Sequence, residues 1–226
     1  NTNHKFFHFG VIGGLEHDYQ VETPIFQDYI ASMAPYETYN NHLRIVNHPN
    51  WSRMEMRDLE YIKPDIIEIY NHSAEVKNGC GFDLNTWDQL LYKGYKTLGV
   101  ATDDNHMNIL EEYEVKDYFG GLIVVQAEKL TSQNIIANIA KGSFFSKMGP
   151  QAPDFIDIHQ NGDTITIQTT EVVKIAFIAY DYHGTVYYAN NQYLTHATFI
   201  AQGHKFVRIE LVDKNGLKAW SNPLYF

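Results

Sequence analysis

The sequence predicts an α/β protein in two parts, β/α units around a parallel sheet or barrel followed by a small all-β domain of the sandwich kind. Before Pro150, short apolar runs alternate with helical patterns, which is typical of β/α units around a parallel sheet. After Pro153 no helical period remains, and turn residues separate short alternating runs. We therefore predict one domain over residues 1–150 and a second, antiparallel domain over residues 151–226.

Apolar runs and capping residues define the elements of the first domain. The predicted strands occupy residues 42–46, 65–70, 96–101 and 121–126, and the predicted helices occupy residues 52–62, residues 85–93 and a segment after Thr131. Ser52 stands at an N-cap position and Glu55 follows it at capping-box spacing. Gly94 ends the second helix. Strands and helices therefore alternate along this part of the chain.

Alternating and β-branched runs define the strands of the second domain. Residues 164–169 alternate strictly, residues 172–180 are rich in β-branched and aromatic side chains, and residues 206–212 alternate again. Turn-forming residues at 182–184 and 213–216 separate these runs. Several short strands joined by turns favour an antiparallel sandwich.

The composition and net charge of the chain limit which kinds of molecule it is expected to bind. The 226 residues are 44% hydrophobic and carry a formal net charge of -10. An acidic surface repels a phosphate backbone, so we expect no nonspecific binding to nucleic acid. Apolar stretches are too short for a membrane span, and the single cysteine, Cys80, excludes an intrachain disulfide. We expect a cytoplasmic protein, or an exported one if a leader preceding Asn1 was removed.

Polar side chains follow three of the predicted strands at the point where each strand ends. His48 follows the first strand, Asn71 and His72 follow the second, and Asp104 and His106 follow the third. The carboxyl ends of parallel strands meet at one rim, so these side chains are expected to lie together. A lone histidine near a strand end is more often a surface residue, but imidazole and carboxylate groups at three strand ends suit a divalent transition metal.

Six segments also carry a recognisable series of motifs, in a fixed order and spacing. They are Asn47-His48-Pro49, Ile67-Glu68-Ile69-Tyr70-Asn71, Trp87-Asp88-Gln89-Leu90-Leu91 with Gly94, Gly99 to His106, Gly142 to Pro150, and Ala219-Trp220-Ser221-Asn222-Pro223-Leu224. Together they resemble the PHP-domain (polymerase and histidinol phosphatase) metallophosphoesterases, of the bacterial type with a C-terminal β domain. The resemblance runs from about Arg44 to the end of the chain.

The resemblance implies a partial, TIM-like (β/α) barrel of the PHP type, in which His48, Asp104 and His106 are metal ligands. The segment Lys5 to Gly13 is similar to a family strand whose histidine also binds metal, which adds His8 to the implied ligands. Two or three zinc, manganese or iron ions would hold a small-molecule phosphate ester and generate hydroxide from a bound water. Asp104 and His106 would then also act as catalytic residues.

Two residues are candidates for substrate binding. Asn71 follows its strand at the same rim, and Arg53 lies five residues after His48. A guanidinium matches the oxygens of a phosphate, although Arg53 is equally explained as a solvated helix residue.

The sequence departs from the family at its beginning. Family members open with an H-x-H motif, and no H-x-H occurs in this chain. Either an N-terminal part was removed, or another chain completes the barrel, or catalysis has been lost. Three functions follow: a phosphoesterase that uses a metal-bound hydroxide, a metal-dependent hydrolase of another ester, and a non-catalytic binding module.

Overall fold

A computed structural model describes residues 7–13, 43–107, 109–110, 115–181 and 183–226. Over these residues the protein is mostly β, with 42% strand and 17% helix. The strands are β1 (Phe9–Ile12), β2 (Leu43–Val46), β3 (Ile66–Asn71), β4 (Leu98–Thr102), β5 (Ile109–Leu110), β6 (Val115–Lys116), β7 (Leu122–Val125), β8 (Phe144–Lys147), β9 (Phe155–Asn161), β10 (Thr164–Val172), β11 (Lys174–Ala179), β12 (Thr185–Tyr188), β13 (Leu194–Ile200), β14 (Phe206–Val212), β15 (Lys218–Ser221) and β16 (Leu224–Tyr225). The helices are α1 (Met56–Ile62), α2 (His72–Asn78), α3 (Leu84–Tyr92) and α4 (Ser132–Ala140).

The first sheet is open and has the order β1-β2-β3-β4. β2, β3 and β4 run parallel, with α1 joining the first pair and α2 and α3 joining the second, whereas β1 is antiparallel to β2. The central strand β3 is buried along its whole length, as expected for a strand covered on both faces. Apolar side chains such as Ile67, Ile69 and Trp87 pack between this sheet and its helices.

The expected TIM-like (β/α) barrel, and with it the α/β fold class, is wrong. Only three strands of the described chain form the parallel part of a sheet, and the other sheets are antiparallel. The reason lies at the outer edge of β4. Ser146 Oγ bonds Ala101 N at 3.1 Å and Gly99 O at 2.9 Å, and Asn222 Oδ1 accepts from Gly99 N at 3.0 Å. These side chains satisfy the backbone groups that a further parallel strand would need.

The C-terminal half is a sandwich of two antiparallel sheets. One sheet has the order β12-β11-β14-β15-β8-β7, with β16 paired to β14, and the other has the order β13-β10-β9. β10 alternates between the interior and solvent, so that Ile165 and Ile167 are fully buried. They pack with Phe177, Ile209 and other residues of the larger sheet. The predicted alternation therefore corresponds to a real inner face.

The two parts of the chain share packing. β7 and β8 lie before residue 150, yet they belong to the same sheet as β14 and β15. Phe206 and Trp220 of the sandwich pack in one cluster with residues of the parallel sheet. The division into domains at residue 150 stays a prediction. Among the described residues, no helix is both long enough and apolar enough to cross a membrane.

Candidate functional site

His48 lies in a strained turn just beyond the end of β2. Its φ of 28° is in the left-handed region, which non-glycine residues adopt at a cost. The side chain is 3% exposed, and its Nδ1 lies 3.0 Å from Ser52 Oγ. Its backbone N–H donates to Glu68 Oε2 at 2.7 Å. The turn therefore presents His48 Nε2 in one fixed direction, and Ser52 holds the imidazole instead of capping a helix.

His8, in the segment that leads into β1, completes a histidine pair with His48. His8 Nδ1 and His48 Nε2 are 3.0 Å apart, which is a hydrogen-bond distance. Two neutral nitrogens can face each other at this distance only if one of them carries a proton. Strand β1 is antiparallel to β2, and Asn47 N bonds His8 O at 3.0 Å, so the backbone fixes this pairing.

Asn71 is fully buried at the end of β3 and links three parts of the site. Its Nδ2 donates to Glu68 Oε2 at 2.9 Å and to Asp104 Oδ2 at 3.3 Å. Its Oδ1 accepts from Ala74 N at 2.8 Å, which caps α2. The residue expected to bind substrate therefore lies beneath the cavity, in a position to orient the Asp104 carboxylate.

Sequence reasoning missed Glu68, the buried carboxylate in the centre of this network. It lies on β3 among isoleucines, and Oε1 accepts from Thr102 Oγ1 at 2.8 Å. Burial raises the pKa of Glu68, while the hydrogen bonds from Asn71, Thr102 and the His48 backbone oppose that rise. An acid inside the run Ile66-Ile67-Glu68-Ile69 is the signal that could have identified it.

Asp104 and His106 lie on the exposed segment that follows β4. Asp104 has a φ of 49°, a second strained position among the implied ligands. His106 Nδ1 lies 2.6 Å from Asp104 O, and because a carbonyl oxygen can only accept, Nδ1 carries the proton. In the neutral imidazole this tautomer leaves the lone pair on His106 Nε2, which is the atom that can then bind a metal ion.

Burial also governs the charge of His48. Desolvation lowers the pKa of its imidazole, the nearby Asp104 carboxylate raises it, and His8 and His106 lower it further. The direction of the shift is downward, so the neutral imidazole is favoured. Neutral imidazole is the state in which a histidine ligates a metal.

The four implied ligands line one cavity of about 200 Å³. Its lining residues are His8, His48, Trp51, Ser73, Ala74, Lys77, Asn78, Asp104 and His106. Helix α2 supplies one wall, and sequence reasoning did not predict this helix. Its Lys77 is the only lysine or arginine among the described lining residues, and it bonds Asp117 Oδ2 at 2.7 Å.

Other candidates lie outside this cavity. Arg53 is exposed in a left-handed turn and is not one of the lining residues. His72 uses both ring nitrogens elsewhere, with Nε2 2.9 Å from Lys116 O and Nδ1 2.9 Å from Tyr70 Oη. His72 therefore has no lone pair to offer to the site.

The described residues contain no group of three or more His, Cys, Asp or Glu side chains arranged to hold a metal ion. The four implied ligands share the cavity, and the ring nitrogens His8 Nδ1 and His48 Nε2 lie 3.0 Å apart within it.

Comparison with known proteins gave no match. No family model, no curated protein and no solved structure matches the chain. The resemblance to PHP-domain proteins therefore remains a proposal based on the motifs alone.

Proposed function

We propose that the chain is a metal-dependent hydrolase of a small phosphate ester, with its active site in the cavity formed by His8, His48, Asp104 and His106. One observation carries the proposal: four side chains from three distant parts of the sequence, each implied as a metal ligand by its motif, line the same cavity. Imidazole nitrogens together with a carboxylate are the donor set that zinc and manganese accept.

The histidine pair supports a shared ion. Two nitrogens bound to one tetrahedral zinc ion, each about 2.1 Å from it, lie about 3.4 Å apart. The 3.0 Å between His8 Nδ1 and His48 Nε2 is close to that spacing. A divalent ion would thus take the place of the proton that the two nitrogens otherwise share.

The other residues have distinct tasks in this proposal. Asp104 supplies a carboxylate held by Asn71, and His106 supplies Nε2 because its Nδ1 is committed to a carbonyl oxygen. Lys77 lies on the cavity wall, where its ammonium pairs with Asp117 and keeps N–H donors for the oxygens of an anionic ester. A bound divalent ion lowers the pKa of its water and neutralises charge on the transferring phosphoryl group.

Metal analysis tests the proposal directly. The purified chain is dialysed against zinc and then against manganese, and bound metal is measured by inductively coupled plasma mass spectrometry. We expect at least one equivalent in the wild type and a clear loss in His48→Ala and Asp104→Ala. His196→Ala, which alters an exposed histidine of β13, is the matched control and should keep its metal. No bound metal, or equal occupancy in all variants, would contradict the proposal.

A substrate panel tests the type of ester. We expect the metal-loaded chain to hydrolyse p-nitrophenyl phosphate faster than p-nitrophenyl acetate, because the cavity has a cationic wall residue for a charged ester. Faster hydrolysis of the acetate would favour a hydrolase of another ester instead.

A further inference from the structure

Trp51 differs from the other two tryptophans in being open to solvent. It is 38% exposed, whereas Trp87 and Trp220 are 0% and 1% exposed. Its ring centroid lies 5.0 Å from that of His48 and 5.9 Å from that of His8. A large aromatic face is therefore present on the wall of a cavity that otherwise carries polar and charged side chains.

The indole is held in place by its own polar atom. Trp51 Nε1–H donates to Asn78 Oδ1 at 3.1 Å, which ties the indole to the end of α2. The backbone beneath it is a tight turn, in which Ser52 N bonds His48 O at 3.0 Å and Arg53 N bonds Asn50 O at 3.1 Å. A face that is already fixed loses little conformational entropy when a flat ring packs on it.

The cavity wall next to Trp51 carries a charged side chain instead of an aromatic one. Lys77 precedes Asn78 on α2, and both side chains line the cavity together with the indole. The wall therefore offers the Lys77 ammonium, which pairs with Asp117 Oδ2 at 2.7 Å and has further N–H donors for an anionic group. Beside it lies an aromatic face for an apolar ring. The indole is also within 6 Å of the two imidazoles, so a ring that packs on it lies next to the group held there.

We propose, on the basis of the hydrolase function above, that Trp51 is a specificity residue that stacks on a planar ring joined directly to the ester oxygen. The substrate class is then an aryl phosphate monoester. Lys77 interacts with the phosphate, and the ring lies against the indole. An alkyl phosphate offers no face for this contact and gains nothing from Trp51.

Kinetics of matched variants test the proposal. Phenyl phosphate and glycerol 2-phosphate are compared for the wild type, Trp51→Leu and Trp51→Phe, all loaded with the same metal. We expect Trp51→Leu to lower kcat/KM for phenyl phosphate about tenfold, the size typical of one aromatic stacking contact, and to leave glycerol 2-phosphate nearly unchanged. Trp51→Phe should keep most of the activity on both. An equal fall on both esters in Trp51→Leu would show a structural role and overturn the proposal.

A binding measurement keeps this inference separate from the proposed function. Because Trp87 and Trp220 are buried, quenching of tryptophan fluorescence by acrylamide reports mainly on Trp51. With metal present, phenyl phosphate should protect the fluorescence from acrylamide, whereas glycerol 2-phosphate should not. If neither ester is hydrolysed but phenyl phosphate still protects, the hydrolase proposal fails and the stacking site stands. Unchanged quenching with phenyl phosphate overturns the stacking site, whatever the activity.

Discussion

Replacing Asn71 by aspartate tests the network beneath the cavity most sharply. The two side chains have nearly the same shape, and the Oδ1 acceptor that caps α2 is retained. The substitution removes the Nδ2 donor that lies between Glu68 Oε2 and Asp104 Oδ2. A carboxylate then faces two others, and the stability of the chain should fall because like charges repel at this distance.

The magnitude follows from the two lost hydrogen bonds. A hydrogen bond to a charged group contributes about 1.5–3 kcal/mol, so losing both costs about 3 kcal/mol or more before repulsion is added. Urea unfolding at about pH 7.5 should show this loss in Asn71→Asp. The loss should be smaller at about pH 5, where a shared proton relieves the repulsion.

Asn85→Asp makes the same chemical change on the exposed surface of α3 and serves as the control. It should change stability by less than about 0.5 kcal/mol. If Asn71→Asp at neutral pH is as mild as this control, the amide does not bridge two carboxylates and the assigned network is wrong.

Three further outcomes are expected. Ser146→Ala should lower the free energy of unfolding by about 2–4 kcal/mol, because it leaves the buried N–H of Ala101 and the carbonyl of Gly99 without their hydrogen-bond partner. Hydrogen exchange at the Ala101 amide should become faster, and an unchanged exchange rate there would count against the contact at the edge of β4. Burial raises the pKa of Asp83 to about 7 from 3.8, so the folded state holds an extra proton between these pH values and its stability falls as the pH rises through them. Asp83→Asn should remove up to about 4 kcal/mol of this loss of stability in urea unfolding measured across the range, and the same pH dependence as in the wild type would refute the shift. Lys77→Gln should raise KM for phenyl phosphate about tenfold with little change in kcat, since a charge-assisted contact is lost; an unchanged KM would remove Lys77 from phosphate binding.

The strands that position the site could be predicted from the sequence alone. The apolar runs around Ile45, Ile67 and Val100 form β2, β3 and β4, and these strands pair in parallel. Period and capping residues carry this information locally, so no long-range contact is needed to predict such strands. The chemistry at their ends follows from the same pattern, because parallel strands present their carboxyl ends at one edge.

The barrel could not have been excluded from the sequence, because the contacts that end the parallel sheet are distant in the chain. Ser146 and Asn222 bond Gly99 from 47 and 123 residues away. A serine in an apolar run does not indicate that its hydroxyl will bond the backbone groups at the edge of a distant strand. Strand β8 likewise pairs with β7 on one side and, on the other, with β15 from a distant part of the chain.

Helix α2 was not predicted for a related reason, and the residues that form about half of the cavity wall were therefore not identified. The residues after β3 were interpreted as a strand end with a free histidine, whereas Asn71 caps a helix and His72 is its first residue. Asparagine favours both loop ends and N-caps, so propensity alone does not decide between them. The Asn71 amide is held in the capping orientation by Glu68 on the same strand and by the distant Asp104, and Glu68 was not recognised.

The placement of charge explains why the site joins a rigid sheet to an exposed segment. Glu68 is buried on β3, and Asp104 is exposed after β4, yet a single buried amide bonds both carboxylates. Two anions this close repel unless a donor or a cation lies among them. Asn71 provides the donor beneath the cavity, and the cavity side of Asp104 faces imidazoles whose metal-binding form is neutral. The remaining negative charge of Asp104 is therefore available to a cation from solvent, and the strained backbone at His48 and Asp104 is consistent with a geometry retained for that purpose.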